Sequence, residues 1–292
     1  MTSGFMFPKV LAWEVTRRCP MRCRHCRASA ADCAFGGELT TAECRVVIDS
    51  LAAAPAPPMI IWTGGEPMTR PDLTDLVRHA TERGVRSVLA PCGMLVTEER
   101  LRALKDAGAM ALSLSLDGPD RETHDAFRGV DGAWDAVMSA MAAARAAAMP
   151  FQVNTVVRKE TLGSLDAIYA RALDEGATRL DLFFLVPTGR GAGLDGMLLS
   201  DGETDAVIAW AKSRRTKLTC CPRAGTCIGG RGFAFLSHVG ELQTCGFVQV
   251  PCGNIRDFGL DFVRLASAAT NPLGSHGNCR AAMANASAET DR

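Results

Sequence analysis

The sequence predicts an α/β fold: a partial, TIM-like (β/α)6 barrel followed by a small Cys-rich module. Three observations lead there. Short apolar runs alternate with helix-like stretches through the first two thirds of the chain, the pattern of a parallel sheet with crossover helices. Six such units end near residue 186, whereas a complete eight-unit barrel needs about 250 residues. The barrel should therefore stay open on one side. From about residue 215 the chain is rich in Gly and Cys and loses helical period, so that region reads as a module organised by metal rather than by an apolar core. The expected division is residues 1–200 for the barrel and 201–292 for the appended module.

The strands are expected at 10–15, 59–63, 86–90, 109–116, 151–157 and 180–186, each a short apolar run. Thr40 or Thr41 can cap a helix running to about residue 54, with Glu43 near its first turn. Pro71-Asp72 opens a second helix that ends near Gly84, and Thr97-Glu98-Glu99 a third that ends near Gly108. The Ala-rich run 132–148 is helical, and 162–175 is the last helix of the barrel, closed by Gly176. Thr188-Gly189-Arg190-Gly191 is a loop, and 201–213 a short amphipathic helix. Residues 233–238 and 241–244 flank Gly240 as a hairpin. The polar tail 281–292 should fray.

Composition narrows the function. The 292 residues carry 32 Lys+Arg against 32 Asp+Glu, with 47% hydrophobic residues. Zero formal net charge argues against a nucleic-acid binder working through a basic surface. No signal peptide and no uncharged apolar stretch of about 18 residues is present, so a cytoplasmic protein outside the membrane is expected. Twelve cysteines in a reducing compartment point to metal or catalysis rather than to disulfides.

Cys19, Cys23 and Cys26 form a C-x3-C-x2-C triplet directly after the first strand. Three thiolates on a tight loop can hold three irons of a [4Fe–4S] cluster and leave the fourth open. The competing reading is a zinc site, for which His25 stands close but a fourth local ligand is not obvious. Gly64-Gly65-Glu66-Pro67 follows the second strand, at the same end of the sheet. Loops at that end form the sites of parallel α/β folds. Two glycines let a ligand approach the backbone, and the carboxylate can accept from an ammonium.

Together these residues resemble the radical S-adenosylmethionine (SAM) superfamily, over roughly residues 10–190. The stretch from Ser113 to Asp117-Gly-Pro, the stretch from His124 to Arg128-Gly, and Asn154 resemble it too. The resemblance implies a cluster on Cys19, Cys23 and Cys26 whose open iron takes the amino and carboxylate groups of SAM. Gly64, Gly65 and Glu66 would line the SAM amino end, with Ser115, Arg128 and Asn154 as further contacts. It also implies reductive cleavage of SAM to a 5′-deoxyadenosyl radical that removes a hydrogen atom from a substrate C–H bond. An electron donor, a reductase or a flavodoxin or ferredoxin, is then a required partner.

The spacing C-x12-G-x4-C from Cys227 through Gly240 to Cys245 resembles the SPASM or shorter twitch extension of that superfamily. Cys221 precedes Cys227 as in those extensions, and Cys279-Arg280 resembles their ending, although Ser275 replaces a cysteine. The resemblance implies one auxiliary [4Fe–4S] cluster on Cys221, Cys227, Cys245 and Cys279, with Cys220 the alternative to Cys221. Cys252 is then spare. Three roles are open to it: a ligand in place of Cys221 or Cys279, an inert buried thiol, or a hydrogen-atom donor to a substrate radical. Cys33, Cys44 and Cys92 read as small core residues. His238, Trp62 and the arginines among 17–27 have ordinary packing or solvation roles open to them.

With its short length, twitch-like end and lone spare cysteine, the chain also resembles the aminoglycoside epimerases of antibiotic biosynthesis, which implies epimerisation of a small polar metabolite with Cys252 as donor. Two-electron dehydrogenation of a small molecule is the first alternative. Modification of a ribosomal peptide is the second. Only 18 residues precede Cys19, so no upstream leader-binding domain is expected.

Overall fold

The apolar runs become neighbouring parallel strands in the computed structural model, which describes residues 5–223 and 227–272. These strands are β1 (Met6–Thr16), β2 (Met59–Gly64), β3 (Ser87–Leu89), β4 (Ala109–Ser115), β5 (Phe151–Val157) and β6 (Leu180–Phe184). Each pairs in parallel with the next, for example Trp13 with Trp62 and Ser115 with Asn154. The crossovers are α1 (Thr41–Ala52), α2 (Leu73–Glu82), α3 (Glu98–Asp106), α4 (Arg121–Arg128), α5 (Ala133–Ala146) and α6 (Leu165–Asp174). Helix α1 starts as expected: the Thr40 hydroxyl accepts from the Glu43 amide, and the Glu43 carboxylate accepts from the Thr40 amide. Helix α4 was not expected. Four of its eight residues are charged, and it is set by its ends, with Asp120 accepting from the Thr123 amide and Gly129 closing it in the left-handed conformation.

The apolar core fills the layer between sheet and helices. Leu11, Trp13, Ile60, Trp62, Leu89 and Leu112 come from the strands and Leu51, Leu76, Leu101 and Met141 from the helices, all fully buried. Trp13 and Trp62 stack at 5.5 Å, and the Trp62 Nε1–H donates to Ser87 Oγ at 2.9 Å. Trp62 is thus a packing residue. The other face of the sheet turns polar toward the barrel interior. There Ser113, Gln152, Asn154 and Asp181 are joined by hydrogen bonds, with Gln152 Nε2 donating to Asp181 Oδ2 at 2.9 Å and Asn154 Nδ2 to Ser113 Oγ at 2.7 Å.

The chain after residue 200 adds to both edges of this sheet. Helix α7 (Asp201–Ala211) leads to β7 (Thr216–Thr219), parallel to β6. Strand β8 (Arg231–Leu236) pairs in parallel with β1 at the opposite edge. The expected hairpin is present, with β9 (Glu241–Gln243) antiparallel to β8. Strand β10 (Pro251–Asn254) follows, then α8 (Phe262–Ala268). Among the described residues the ten strands run in the order β10-β9-β8-β1-β2-β3-β4-β5-β6-β7, an open sheet. No helix among the described residues is long and apolar enough to cross a membrane.

One buried carboxylate ties these parts together. Glu14 on β1 has no solvent exposure. Its Oε1 takes Arg17 and lies 2.8 Å from His238 Nδ1, just past β8, while its Oε2 accepts from Arg27 Nη1 at 3.1 Å. The Arg27 guanidinium also lies over the Phe235 ring of β8, at 4.3 Å. Burial pushes the Glu14 carboxyl up, but the His238 hydrogen bond and the charges of Arg27 and Arg17 outweigh it and hold it at about 2.

Because the folded value lies below the ordinary 4.5, this group's stabilisation is complete above that pH and is lost as pH falls toward 2. Urea denaturation at stepped pH should register a loss of about 3 kcal/mol across that window. Glu14→Gln should remove this part of the slope and lower stability at neutral pH by about 3–5 kcal/mol, because Arg27 and Arg17 are left without their carboxylate.

Candidate active site

The triplet lies in the long connection between β1 and α1, and hydrogen bonds to distant segments shape it. The Cys19 amide donates to the Ala31 carbonyl at 3.0 Å, and the Arg24 amide to the Arg128 carbonyl at 2.9 Å. Arg190 gives three further ties. Its amide donates to Cys26 O at 3.0 Å, its Nε to Cys23 O at 2.7 Å and its Nη2 to Ala30 O at 2.7 Å. The loop after β6 is therefore a clamp on the cysteine loop. Gly189 makes the clamp possible: its φ is +57°, and a Cβ there would stand 2.1 Å from the Arg27 carbonyl oxygen.

Gly64 and Gly65 serve a similar close approach. A Cβ on Gly64 would meet Thr16 O at 2.2 Å, and one on Gly65 would meet Arg18 O at 2.4 Å. The Gly65 amide donates to Thr16 O and the Glu66 amide to Arg18 O, both at 2.8 Å. The glycine pair thus seats the β2 exit directly on the β1 exit. The Glu66 carboxylate is wholly buried and turns to its own scaffold, accepting from the Met68 amide at 2.8 Å and from the Cys92 amide.

A cavity of about 250 Å³ opens at this end of the barrel. Its lining brings together Cys19, Cys23, Cys26, Gly64, Gly65, Ser115, Arg128 and Asn154. Of the barrel residues expected at the site, Glu66 alone stands behind the lining. The far wall is apolar, with Phe183, Phe184, Leu185 and Val186 from the end of β6 and Phe247 from the C-terminal region.

Asp117, at the exit of β4, organises the charges of this cavity. Its Oδ2 is 2.8 Å from Arg128 Nη2 and 3.9 Å from His25 Nε2, and its Oδ1 accepts from the Val156 amide at 2.7 Å. Burial pushes Asp117 up, but the Arg128 guanidinium, with His25 and His124, holds it well below the usual carboxylate range. Burial pulls His25 down to about 4. Its neutral ring stacks on Phe127 at 4.4 Å and lines the cavity. Arg128 Nη1 stands 3.7 Å from Cys23 Sγ, so the guanidinium faces both a carboxylate and a thiol.

Two of the cysteines read as core residues lie elsewhere. Cys44 is buried among the apolar side chains as expected, whereas Cys33 is exposed and Cys92 lines the cavity beside Cys19. Nothing local distinguishes Cys92 from Cys44 in the sequence. Its place follows from the β3 exit lying next to the β2 exit.

In the C-terminal region Cys220 lies beside Cys221, Cys227 and Cys245. Gly229 lies next to two of them, since a Cβ on it would stand 3.5 Å from Cys227 Sγ and 3.6 Å from Cys245 Cβ. Cys279 is outside the described residues. Cys252 sits half-buried on β10 against the apolar core, its Sγ 3.9 Å from Val250 O, and is not among the residues lining the cavity. Burial pushes its thiol up to about 11.

The donor chemistry fits an iron–sulfur cluster. Three thiols share one cavity with a cation, and the same lining leaves polar groups from β4 and β5 for a second ligand. Among the described residues no three His, Cys, Asp or Glu side chains are gathered tightly enough to hold a single metal ion. A cluster spreads its protein ligands over separate irons.

This architecture, an open parallel barrel with a three-cysteine loop at the carboxyl ends of its strands, defines a class of SAM-cleaving iron–sulfur enzyme. The profile of the radical SAM superfamily matches residues 13–172, and the chain belongs to that superfamily. Its cofactors are SAM and the [4Fe–4S] cluster that binds it. The chain is 38% identical over 281 residues to an AdoMet-dependent heme synthase of Nitratidesulfovibrio vulgaris, covering 85% of this chain and 76% of that protein. It is 35% identical over 209 residues to an Fe-coproporphyrin III synthase of Methanosarcina barkeri, covering 72% of this chain and 52% of that one. Among solved structures, SuiB of Streptococcus suis bound to S-adenosylmethionine shares the fold. The TM-score is 0.67 at 14% identity, over 89% of this chain and 66% of SuiB.

The clamp can be tested directly. Gly189→Ala cannot keep both its φ and its distance from Arg27, so it should cost about 1–3 kcal/mol. Thermal unfolding of the variant would measure that cost, and iron uptake on reconstitution should fall with it.

Proposed function

We propose that this enzyme acts in tetrapyrrole chemistry, abstracting a hydrogen atom from a side chain of a haem precursor in an oxidation whose second electron would leave to the auxiliary cluster. The observation that carries this is the likeness to an AdoMet-dependent heme synthase, sustained over most of both chains. The Fe-coproporphyrin III synthase points to the same class of substrate. The cavity supports the reading, since Phe183, Leu185, Val186 and Phe247 offer an apolar wall to a flat macrocycle. Epimerisation of an aminoglycoside draws less support. A polycationic sugar calls for carboxylates, and Asp117, the one carboxylate on this lining among the described residues, is already engaged by Arg128 and the Val156 amide. Its intended donor, Cys252, stands off the cavity.

When bound, the cluster and SAM supply a 5′-deoxyadenosyl radical that abstracts hydrogen. The chain's own residues divide the remaining work. Cys19, Cys23 and Cys26 hold three irons. Gly64 and Gly65 form the floor at the SAM amino end, with Glu66 fixing their turn from behind. Ser115 and Asn154 present hydrogen-bonding groups, and Arg128 offsets thiolate charge. The phenylalanine wall excludes water and stray hydrogen donors. Cys227 and Cys245, with Cys220 or Cys221, hold an auxiliary cluster of the twitch or SPASM kind, to which Cys279 is the further candidate ligand. A flavodoxin or ferredoxin supplies the electron.

Reconstituted protein should carry about eight irons, four per cluster. Changing Cys19, Cys23 and Cys26 together to Ala should remove about half of them and abolish 5′-deoxyadenosine formation. Cys227→Ala should remove the other half. Anaerobic turnover with iron coproporphyrin III, read by mass spectrometry in deuterated water, should give a lighter product. No porphyrin turnover, together with solvent deuterium at an inverted carbon of an aminoglycoside, would overturn the proposal.

A further inference from the structure

Among the described residues two arginines line the cavity, and they are held differently. Arg128 is committed to its own scaffold, with Asp117 Oδ2 3.0 Å from its Nε and 2.8 Å from its Nη2. The Arg27 guanidinium donates one hydrogen bond among the described residues, from Nη1 to Glu14 Oε2 at 3.1 Å. Glu14 cannot satisfy the rest of it, because the same carboxylate also accepts from Arg17 and meets His238. Arg27 Nε and Nη2 are thus left without a protein acceptor there. The guanidinium is nonetheless fixed in place. It stands over the Phe235 ring at 4.3 Å, and the Arg27 carbonyl accepts from Gln249 Nε2 at 2.8 Å. Beside it lies Gly246, where a Cβ would come 3.1 Å from Arg27 Nε and 3.0 Å from the Phe235 ring. A side chain at that position would crowd the space next to Nε. Gly246 is followed directly by Phe247, one of the apolar residues of the cavity wall.

We propose that Arg27 is a carboxylate-binding residue of the substrate pocket, holding one acidic arm of a macrocycle whose ring rests on the wall at Phe247. The inference rests on the proposed haem-precursor substrate, whose propionate arms end in carboxylates. Such a molecule is apolar across its ring and anionic at its rim. A pocket for it needs a cation set at the edge of an apolar wall, and Arg27 beside Phe247 is that pairing. Nε and Nη2 form one edge of the guanidinium, the edge that can donate to both oxygens of a carboxylate side-on. Glu14 and Phe235 hold the group before the ligand arrives, so little side-chain freedom is lost on binding. SAM brings a carboxylate to the same cavity, and the ester of the macrocycle separates the two sources.

The test is anaerobic equilibrium dialysis of iron coproporphyrin III, and separately of its tetramethyl ester, against reconstituted full-length wild type, Arg27→Lys and Arg27→Met. The ester keeps the macrocycle and removes the charges of its arms. Arg27→Met should weaken binding of the acid about 10- to 100-fold and leave the ester unchanged. Arg27→Lys keeps a charge facing Glu14 but loses the planar fork, so it should weaken the acid several-fold and the ester not at all. It carries the test where Arg27→Met folds poorly. Retention of SAM, dialysed in the same way, should be equal in all three proteins. Unchanged affinity for the acid in the variants would overturn this inference alone. So would an equal loss for acid and ester, which would make Arg27 part of the wall, or a loss of SAM retention, which would give Arg27 to the SAM carboxylate. A wild type that retains neither porphyrin would overturn the proposed substrate as well.

Discussion

The buried carboxylate of Glu14 is the point on which the arrangement of this molecule depends. It stands on the central strand β1, where a lone charge would be costly. Three side chains make it tolerable, and each comes from a different part of the chain: Arg17 from the strand exit, Arg27 from the end of the cysteine loop, and His238 from beyond β8. The requirement to neutralise one group therefore fixes where the loop turns and where the C-terminal region docks. Arg27 adds its stacking on Phe235 and its contact beside Gly246. The segment carrying Cys26 and the segment carrying Cys245 thus share one side chain, and neither can shift without disturbing the other.

Asp117 plays a corresponding part on the opposite side of the cavity. It keeps Arg128 rigid next to Cys23 and also binds the backbone of β5 through Val156. Its backbone amide bonds His124 Nδ1 on α4, and its carbonyl accepts from Arg158. The site is thus lined by charges that already have partners, which leaves its free surface more apolar than a list of its residues suggests.

Much of this was legible in the sequence, and the parts that were not have a common physical character. The six strands of the barrel were readable because each is a short apolar run buried on a parallel sheet, and the triplet was readable because its three cysteines are local to one loop. Most of the unexpected features are products of distant pairing. Strand β8 joins β1 across more than two hundred residues, and nothing in its own composition marks that partner. Arg190 holds the cysteine loop from a segment that reads as plain loop. Cys92 resembles a core cysteine until β3 is placed beside β2. Helix α4 is short and charged, so its caps rather than its apolar period define it. Ser115 and Asn154 reach the cavity from β4 and β5 and Arg128 from the end of α4, whereas Glu66 supports it from behind.

The open sheet carries one more consequence. A barrel that does not close leaves two strands with unsatisfied backbone groups, and such edges are templates for the strands of other molecules. Here both ends are poor templates. Strand β7 is only four residues long and exposes Lys217, so an incoming chain would gain few hydrogen bonds and bury a charge. Strand β10, also four residues long, begins with Pro251, which lacks an amide hydrogen, and contains Gly253 at a φ of +139°. Among the described residues, both ends of the open sheet are thereby kept from recruiting a neighbouring strand.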